Sequence, residues 1–213
     1  MNLKWLYLII TNPVIGYQKL TEIAVSCDVS IIQLRIKNNN EEKLNIANDI
    51  KNITNGTKTR FIINDDINLA IEVDADGVHL GQDDCSINKA KNLWKNKNKI
   101  FGISTHNQYQ AIQAEKNGAS YIGIGPIFPT LSKKNLDPLL GIKKATKIND
   151  QCNCPSFSIG GINLKNLRQI KSIKSCGFCV LGAVNNSKEP EKVIKSFQSE
   201  WESINFWSCT ILF

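Results

Sequence analysis

The chain has 213 residues, of which 42% are hydrophobic and 21% charged, a composition that predicts one folded domain and excludes a disordered chain. Its formal net charge is +7, but the lysines and arginines are scattered rather than gathered in a stripe, which argues against nucleic-acid binding. No apolar run approaches the roughly 18 residues of a membrane span, so the sequence predicts none.

Short apolar runs alternate with helical stretches along the whole chain. The predicted strands are Trp5–Thr11, Ser30–Lys37, Arg60–Asp65, Gly77–Gly81, Ile100–Thr105, Tyr121–Ile127, Ser156–Ile162 and Phe178–Val184. Helical character lies between them, for example in Glu41–Ile53, Ile87–Trp94, Asn107–Asn117 and Leu164–Ile173. Strands that alternate with helices predict parallel βαβ units, and this number of strands favours an α/β fold with a single (β/α)₈ TIM barrel.

Both ends of the chain carry apolar segments. Leu6–Ile10 is too short for a signal peptide and is predicted to form the first buried strand. Residues from about 200 to 213, which end in Phe206–Phe213, are predicted to be a variable apolar tail that packs on the barrel or on a partner subunit. The sequence therefore leaves open whether the chain forms a homo-oligomer. We expect a cytoplasmic protein.

The second predicted strand carries polar side chains on one face. Because alternate side chains of a strand point to opposite faces, Gln33, Arg35 and Lys37 share the face opposite the aliphatic residues between them. If the aliphatic residues meet the helices, the polar ones point into the barrel, where two cations need a partner. One interpretation is an internal salt-bridge network with Asp65 or Asp84. The favoured one is a phosphate or diphosphate clamp, with a planar fork from Arg35 and a point charge from Lys37.

Acidic pairs follow the third and fourth predicted strands. Asn64-Asp65-Asp66 ends the third strand and Gln82-Asp83-Asp84 follows the fourth, which brings amide and carboxylate groups to one rim of the barrel. Such pairs often only cap helices. Two pairs at adjacent strand ends beside a cationic clamp indicate Mg²⁺, which takes one or two carboxylates with water and phosphate oxygens.

Small residues mark the fifth and sixth predicted strands. Gly102 and Ser104 are expected on the inward face of the fifth strand, and Gly123 and Gly125 on that of the sixth, where they leave room for a flat ring. The connection that follows, from 126 to about 141, is the longest after a strand. Long loops of this kind on barrels usually carry function.

The seventh and eighth predicted strands are followed by glycines at Gly160-Gly161 and Leu181-Gly182. Loops at these two strand ends form the common phosphate site of such barrels, where backbone N–H groups bind the anion. The alternative role for these glycines is tight packing or a turn.

Cysteines and histidines are the other residue types that could form a metal or catalytic site. Cys152-x-Cys154 and Cys176-x-x-Cys179 have spacings that zinc sites use, but Cys179 falls in an apolar strand, so we predict unpaired structural thiols. Of the two histidines, the one at position 79 is interpreted as a satisfied core residue and the one at position 106 as a helix cap. Neither has a clear nucleophile or base as a partner.

Ordered motifs along nearly the whole chain resemble one known family. They are Gln33–Lys37 (QLRIK), Asn64–Asp66 (NDD), Gly77–Asp84 (GVHLGQDD), Gly102–His106 (GISTH), Gly125–Lys134 (GPIFPTLSKK) and Ile159–Ile162 (IGGI). With these motifs the chain resembles thiamine phosphate synthase, apart from the C-terminal tail. Several ordered motifs with compatible spacing are far more specific than a lone glycine pattern.

The resemblance implies a transferase that joins hydroxymethylpyrimidine diphosphate to thiazole phosphate, so that its partners are two phosphorylated small molecules. It implies that the pyrimidine diphosphate is held by Gln33, Arg35, Lys37, Asn64, Ser104 and Lys133, with catalytic roles for Arg35, Lys37, Ser104 and Lys133. It further implies Mg²⁺ on Asp65 and Asp84, and thiazole phosphate on Thr130, Ser132, Gly161, Leu181 and Gly182. In that family the diphosphate is thought to leave first and the thiazole nitrogen to capture the pyrimidine cation, which needs no general base.

Two positions depart from the family's pattern. Ser132 stands where threonine is usual and keeps the hydroxyl group. Gly182 stands where serine is usual, and the missing hydroxyl is expected to weaken thiazole phosphate binding by about 1–2 kcal/mol.

Two other functions stay open. One is a thiazole tautomerase, an isomerase on the same barrel that uses a histidine where this chain has Pro126 and needs no metal–diphosphate clamp. The other is a non-catalytic barrel that binds a phosphate ligand. The presence of Asp65, Asp84 and Lys133 argues against a barrel that has lost its catalytic activity.

Overall fold

Eight parallel strands form the centre of the computed structural model, which describes residues 6–36, 42–130 and 138–204. The strands are β1 (Leu6–Ile10), β2 (Ile31–Leu34), β3 (Arg60–Asn64), β4 (Gly77–Leu80), β5 (Ile100–Thr105), β6 (Tyr121–Ile124), β7 (Ser156–Ser158) and β8 (Gly177–Val180). Each strand pairs in parallel with the next, and β8 pairs with β1, so the sheet closes on itself. The predicted (β/α)₈ TIM barrel is confirmed.

Helices follow the strands on the outside of the barrel. They are α1 (Tyr17–Ser26), α2 (Lys43–Thr54), α3 (Ile67–Glu72), α4 (Ile87–Leu93), α5 (Gln108–Lys116), α6 (Gly141–Asp150), α7 (Gly182–Asn185) and α8 (Pro190–Ile204). The side chains of Asp66, Ser86 and Asn107 each accept a hydrogen bond from the backbone N–H three residues later, and so begin α3, α4 and α5.

Alternation along the strands separates two apolar clusters. The residues of one parity, such as Leu6, Leu8 and Ile32, pack outward against the helices. The inner cluster fills the barrel and consists of Tyr7, Ile9, Ile31, Ile62, Ile100, Tyr121, Phe157, Cys176 and Cys179. The interior is therefore a packed core with tyrosine hydroxyl groups inside it, rather than a pore.

Four strands, β2, β6, β7 and β8, end at least three residues earlier than the sequence predicts. After β6, Pro126 has no backbone N–H with which to continue the ladder. After β7, Gly160 and Gly161 adopt φ values of 102° and 63°, which turn the chain out of the extended conformation. After β8, Gly182 begins α7, so Val184 is buried on a helical turn instead of a strand.

The predicted helix over Leu164–Ile173 is a 3₁₀ helix that begins later, at Leu167. Its delayed start has a local cause. The side chain of Asn166 accepts from the backbone N–H of Asn163 at 2.8 Å, and that of Asn163 accepts from Lys165 at 2.9 Å. These side chains stabilise a turn that competes with the first helical turn.

The final helix continues into the segment predicted as a tail. α8 runs to Ile204, and Trp201 on it is buried with its ring centroid 4.8 Å from that of Phe178. Residues 205–213 lie outside the described residues, so the tail stays a prediction beyond Ile204. Within the described residues, no helix has the length and apolarity needed to cross a membrane.

The cysteine prediction is correct for three residues and wrong for one. Free thiols are found at Cys152, Cys154 and Cys179, and Cys179 packs inside the barrel as expected. Cys176, in contrast, is disulfide-bonded, and none of those three is its partner. Spacing along the chain does not reveal which sulfurs meet in space, because a disulfide depends on the positions of two backbones.

Candidate active site

The predicted site residues that the structure describes lie at the carboxyl ends of the strands, on one rim of the barrel. They are Gln33, Arg35, Asn64, Asp65, Asp84, Ser104, Thr130, Gly161, Leu181 and Gly182. Lys37, Ser132 and Lys133 lie outside the described residues, so their roles stay predictions. This rim is where barrel enzymes place their active sites.

Gln33 lies on β2, and Arg35 directly follows the last residue of that strand. Gln33 is 2% exposed, and its Nε2 donates a 2.6 Å hydrogen bond to the Tyr7 hydroxyl inside the barrel. Burial lowers the pKa of the half-buried Arg35 guanidinium, and the nearby Asp65 carboxylate opposes that shift. Arg35 forms no salt bridge within the described residues. An internal salt-bridge network is thus not supported for this guanidinium.

The first acidic pair divides into two different roles. Asp66 begins α3, because its Oδ1 accepts from the Leu69 backbone at 3.0 Å while its Oδ2 accepts from Lys43 Nζ at 2.8 Å. Asp65 adopts a left-handed conformation with φ of 63°, which aspartate tolerates better than most residues. Its backbone N–H donates to the His79 carbonyl at 2.8 Å. Asp66 is therefore committed to the helix, and Asp65 ends the strand at the rim.

The second acidic segment forms a tight turn after β4. Asp84 is exposed, and its Oδ2 accepts from the Gly81 backbone N–H at 2.7 Å. A Cβ atom at Gly81 would lie only 2.8 Å from that oxygen, so glycine permits the turn. Gln82 reaches across to the next strand, where its Nε2 donates to the Ser104 carbonyl at 2.6 Å. The loop is thus fixed to β5.

A line of hydrogen bonds crosses the barrel interior below the rim. The hydroxyl groups of Tyr7 and Tyr121 lie 2.6 Å apart, and Gln33 Nε2 contacts the first of them. His79 Nδ1 lies 2.9 Å from the Tyr121 hydroxyl, and its Nε2 lies 3.0 Å from Ser104 Oγ. His79 is thus a satisfied core residue as predicted, while Tyr7 and Tyr121 were not identified from the sequence.

Burial controls the ionisation of this line. It lowers the pKa of His79 to about 4, and the Asp84 carboxylate partly opposes the shift. Burial also raises the pKa values of Tyr7 and Tyr121 well above the ordinary range of a phenol. At neutral pH the imidazole and both phenols therefore carry no charge.

The inward glycines serve the protein's own packing more than the sequence suggests. A Cβ atom at Gly102 would lie 2.2 Å from the Tyr121 ring, so this glycine makes room for that ring. A Cβ at Gly125 would lie 2.2 Å from the Ile159 carbonyl oxygen, so the prediction of space for a substrate ring there is wrong. Gly123 differs, because its Cβ would make only an ordinary 3.6 Å contact with His79.

The glycines after β7 lie against the loop after β6. A Cβ atom at Gly161 would lie 2.4 Å from the Pro129 carbonyl oxygen, and one at Gly160 would lie 2.7 Å from Pro126 Cα. The Phe128 backbone N–H donates to the Gly160 carbonyl at 3.0 Å. Close packing thus requires both glycines, and it holds the described part of the β6–α6 loop beside the end of β7.

The loop after β8 is tied to β1 by a buried asparagine. Asn185 is 1% exposed, and its Oδ1 accepts from the Thr11 backbone N–H at 2.9 Å. Its Nδ2 donates to the carbonyls of Ile9 and Leu181 at 2.7 and 2.8 Å. These bonds fix the backbone at Leu181 and the start of α7, where the phosphate of the thiazole was predicted.

His106 is not the helix cap that the sequence suggested. Asn107 begins α5, since its side chain accepts from the Gln110 backbone N–H at 2.9 Å. His106 Nδ1 instead lies 2.7 Å from the Gly125 carbonyl oxygen and connects the end of β5 to the end of β6.

Comparison with known proteins decides the family. The family model described as Thiamine monophosphate synthase matches residues 6–184, which include all eight strands. The chain belongs to this family. The resemblance inferred from the ordered motifs is thereby confirmed.

Individual members of the thiamine monophosphate synthase family agree with the match. A thiamine-phosphate synthase of Clostridium botulinum strain Hall is 42% identical over 168 residues, covering 78% of this chain and 82% of that protein. One of Prochlorococcus marinus is 37% identical over 183 residues, 85% of this chain but 52% of that protein. The structure of a thiamine phosphate pyrophosphorylase from Pyrococcus furiosus superimposes with a TM-score of 0.86 at 30% identity, covering 95% of this chain and 98% of that one.

Two carboxylates at the rim have the hard oxygen donors that a Mg²⁺ ion prefers. Among residues 6–36, 42–130 and 138–204, no three His, Cys, Asp or Glu side chains form a group that could hold a metal. Mg²⁺ does not need such a cage, because water and substrate phosphates complete its shell. Asp65 and Asp84 follow neighbouring strands, and both lie close to His79. Their hard oxygen donors fit a Mg²⁺ ion shared with a phosphate substrate.

The sequence does contain a signal for the hydrogen bonds of Tyr7 and Tyr121, which the sequence analysis did not identify. Tyr7 has the same strand parity as Ile9, and Tyr121 begins a strand whose next inward residue is Gly123. A buried tyrosine needs a partner for its hydroxyl group. Tyrosines at inward positions of a barrel therefore predict polar partners inside it, here Gln33 and His79.

Proposed function

We propose that this chain joins hydroxymethylpyrimidine diphosphate to thiazole phosphate, giving thiamine phosphate and diphosphate. The observation that carries the proposal is the meeting of Arg35 and Asp65 at adjacent strand ends, in a chain of the thiamine monophosphate synthase family. A half-buried guanidinium without a salt bridge among the described residues suits an anionic ligand.

The diphosphate half of the site lies at the ends of β2 to β5. Arg35, with Lys37 and Lys133 from the segments that the structure does not describe, supplies positive charge to the diphosphate oxygens. Asn64 and Ser104 supply polar groups at the neighbouring strand ends, where both are half-buried. Gln33 is held against Tyr7 at the bottom of this half. In this proposal it is the residue that contacts the pyrimidine ring.

Mg²⁺, held by Asp65 and Asp84, would neutralise part of the charge that develops on the diphosphate. Asp66 is occupied by Lys43 and by α3, so the proposal assigns the metal to Asp65 of the first pair. Asp84 is oriented by the Gly81 backbone N–H.

The thiazole phosphate half lies at the ends of β6 to β8. Thr130 and Ser132 belong to the β6–α6 loop, whose first part packs on Gly161. Backbone N–H groups at Gly161 and Gly182 bind the phosphate, as at the common phosphate site of such barrels. Asn185 supports this half by fixing the backbone that precedes α7.

The reaction needs positioning and charge stabilisation rather than proton transfer. The bond between the pyrimidine methylene carbon and the diphosphate oxygen breaks, and its electron pair leaves with the diphosphate. The lone pair of the thiazole nitrogen then forms the new carbon–nitrogen bond, and the ring becomes a thiazolium cation. No proton is gained or lost, which agrees with the neutral, fully hydrogen-bonded state of His79. The protein's part is to hold both rings in contact and stabilise the leaving charge.

The proposal is tested by substrate omission with the purified full chain. The complete mixture of both substrates and Mg²⁺ is expected to form thiamine phosphate, and mixtures that lack either substrate are expected to form none. A thiazole tautomerase would instead convert its thiazole substrate without the pyrimidine diphosphate. A non-catalytic barrel would bind both ligands without turnover. Absence of thiamine phosphate from a chain with intact circular dichroism overturns the proposal.

Restoring a hydroxyl group at Gly182 is expected to tighten thiazole phosphate binding. A Cβ atom there would make an ordinary 3.6 Å contact with Asn186 Nδ2, so Gly182→Ser fits without displacement of its neighbours. The added hydrogen bond to a phosphate oxygen, about 1–2 kcal/mol, corresponds to a KM for thiazole phosphate lower by about 5- to 30-fold.

Gly182→Ala is the matched control, because it adds the same Cβ atom without the hydroxyl group. We expect its KM for thiazole phosphate to stay at the wild-type value. Equal KM values for the serine and alanine variants would show that the hydroxyl contacts no phosphate.

A further inference from the structure

The line of hydrogen bonds inside the barrel connects one side of the proposed site to the other. It runs from Gln33 on β2 through Tyr7 and Tyr121 to His79 and Ser104 on β4 and β5, with separations between 2.6 and 3.0 Å. Both tyrosines are at most 1% exposed. Each phenol oxygen has two partners in the line and no other partner within the described residues.

The number of hydrogen atoms on each group decides which partner donates in each hydrogen bond of this line. The amide nitrogen of Gln33 only donates, so Tyr7 accepts from it and has its own hydrogen left for Tyr121. Tyr121 then accepts from Tyr7 and has its hydrogen left for Nδ1 of His79. In every other arrangement one phenol hydrogen is buried without an acceptor, which is strongly disfavoured.

The direction fixes the state of the imidazole. Nδ1 of His79 accepts from Tyr121, so the neutral ring carries its hydrogen on Nε2 and donates it to Ser104 Oγ. A doubly protonated ring would donate from Nδ1 as well, and one phenol hydrogen would then be buried without an acceptor. Ser104 Oγ, which accepts from His79, cannot donate back to the same nitrogen.

We propose that Tyr121 and His79 are positioning residues that orient the Ser104 hydroxyl hydrogen toward the substrate. Within the described residues His79 is the only side chain that hydrogen-bonds to Ser104 Oγ, so the hydroxyl hydrogen is available to the half-buried rim above. This proposal rests on the proposed function, in which Ser104 binds the pyrimidine diphosphate. The line thus prepares a hydrogen-bond donor before the anion arrives, which is what preorganised charge stabilisation requires.

Long-range proton–nitrogen NMR reads the imidazole state without any turnover. The two histidines are separated by recording the same spectrum on His106→Gln, which leaves only the signals of His79. We expect an unprotonated Nδ1 and a protonated Nε2 at neutral pH. A protonated Nδ1 in the folded wild-type chain would overturn the direction of the line.

Removing the hydroxyl group from each tyrosine in turn gives a matched pair of variants. Tyr121→Phe takes away the donor to Nδ1, so a second population with a protonated Nδ1 is expected. Tyr7→Phe removes the same atom from the neighbouring ring, but Tyr121 keeps its hydrogen and can still donate it to His79. The wild-type imidazole state is therefore expected in Tyr7→Phe. Equal spectra from both variants contradict the proposal.

Kinetics then test whether the line acts through Ser104. Tyr121→Phe is expected to lower kcat by about 10- to 100-fold, the effect of one hydrogen bond to a charged group, with a smaller change in KM. In a Ser104→Ala background the same substitution is expected to have almost no further effect on kcat, because the hydroxyl that it orients is absent. Losses that multiply would mean that Tyr121 acts independently of Ser104, and the proposal would be wrong.

Failure of this inference is distinguishable from failure of the proposed function. If the wild-type chain forms thiamine phosphate but the imidazole state or the kinetic coupling differs from expectation, only the positioning role is lost. If the chain forms none, the NMR spectra still decide the direction of the line.

Discussion

Replacing Asp65 or Asp84 by asparagine is expected to lower kcat by about 100-fold or more, while the affinity for thiazole phosphate stays nearly unchanged. In the proposed function both carboxylates lie at the diphosphate half of the site and hold the Mg²⁺ that stabilises the leaving group. Asparagine keeps the shape of each side chain and also tolerates the left-handed backbone of Asp65, so the change removes charge with little strain. Steady-state kinetics and thiazole phosphate titration measure the two effects.

The chain offers a matched control for each substitution. Asp66→Asn keeps a residue that caps α3 and loses only the ion pair with Lys43, and Asp83→Asn changes an exposed neighbour of Asp84. Both controls are expected to keep kcat within a few-fold of wild type. If Asp65→Asn and Asp84→Asn weaken thiazole phosphate binding as much as turnover, the carboxylates are structural and the magnesium assignment is wrong.

The stability of the barrel is expected to fall by about 3 kcal/mol between neutral pH and pH 4 because of His79 alone. Burial lowers the pKa of His79 from 6.5 to about 4 in the folded chain. Between those two values the unfolded chain therefore binds a proton that the folded chain does not, so the free energy of unfolding decreases as the pH falls. Below the folded pKa the whole contribution is lost.

Urea unfolding at several pH values measures this contribution by difference. Wild type and His79→Gln share every other titrating group, so the difference between their pH dependences isolates the imidazole. We expect the variant to be less stable at neutral pH, but to lose about 3 kcal/mol less than wild type on acidification. Parallel pH dependences for the two chains would show that the folded protein accommodates a charged imidazole.

Alternation of strands and helices was enough to predict the barrel, because a closed parallel sheet is a direct result of eight βαβ units. The same period placed Gln33 inside the barrel, where it lies. The ends of the strands were harder to predict from the sequence, because they depend on local backbone conformation. The turn at Gly161 and the helical turn that begins at Gly182 are examples.

The sequence predicted the rim residues of the candidate site, but not the contacts below them. It identified the acidic segments, but the division of labour between Asp65 and Asp66 depends on the position of Lys43, which no spacing reveals. Tyr7 and Tyr121 are 114 residues apart and meet only when the sheet closes. A pairing across such a separation arises from the fold rather than from a local pattern.

Phosphorus NMR of a single reaction mixture tests the central claim most directly, because it follows both substrates and both products together. With the full chain, Mg²⁺ and equal amounts of the two substrates, the signals of pyrimidine diphosphate and thiazole phosphate are expected to decline together. Thiamine phosphate and free diphosphate are expected to appear in equal amounts. Release of diphosphate without thiamine phosphate, or no change in a folded chain, would contradict the account.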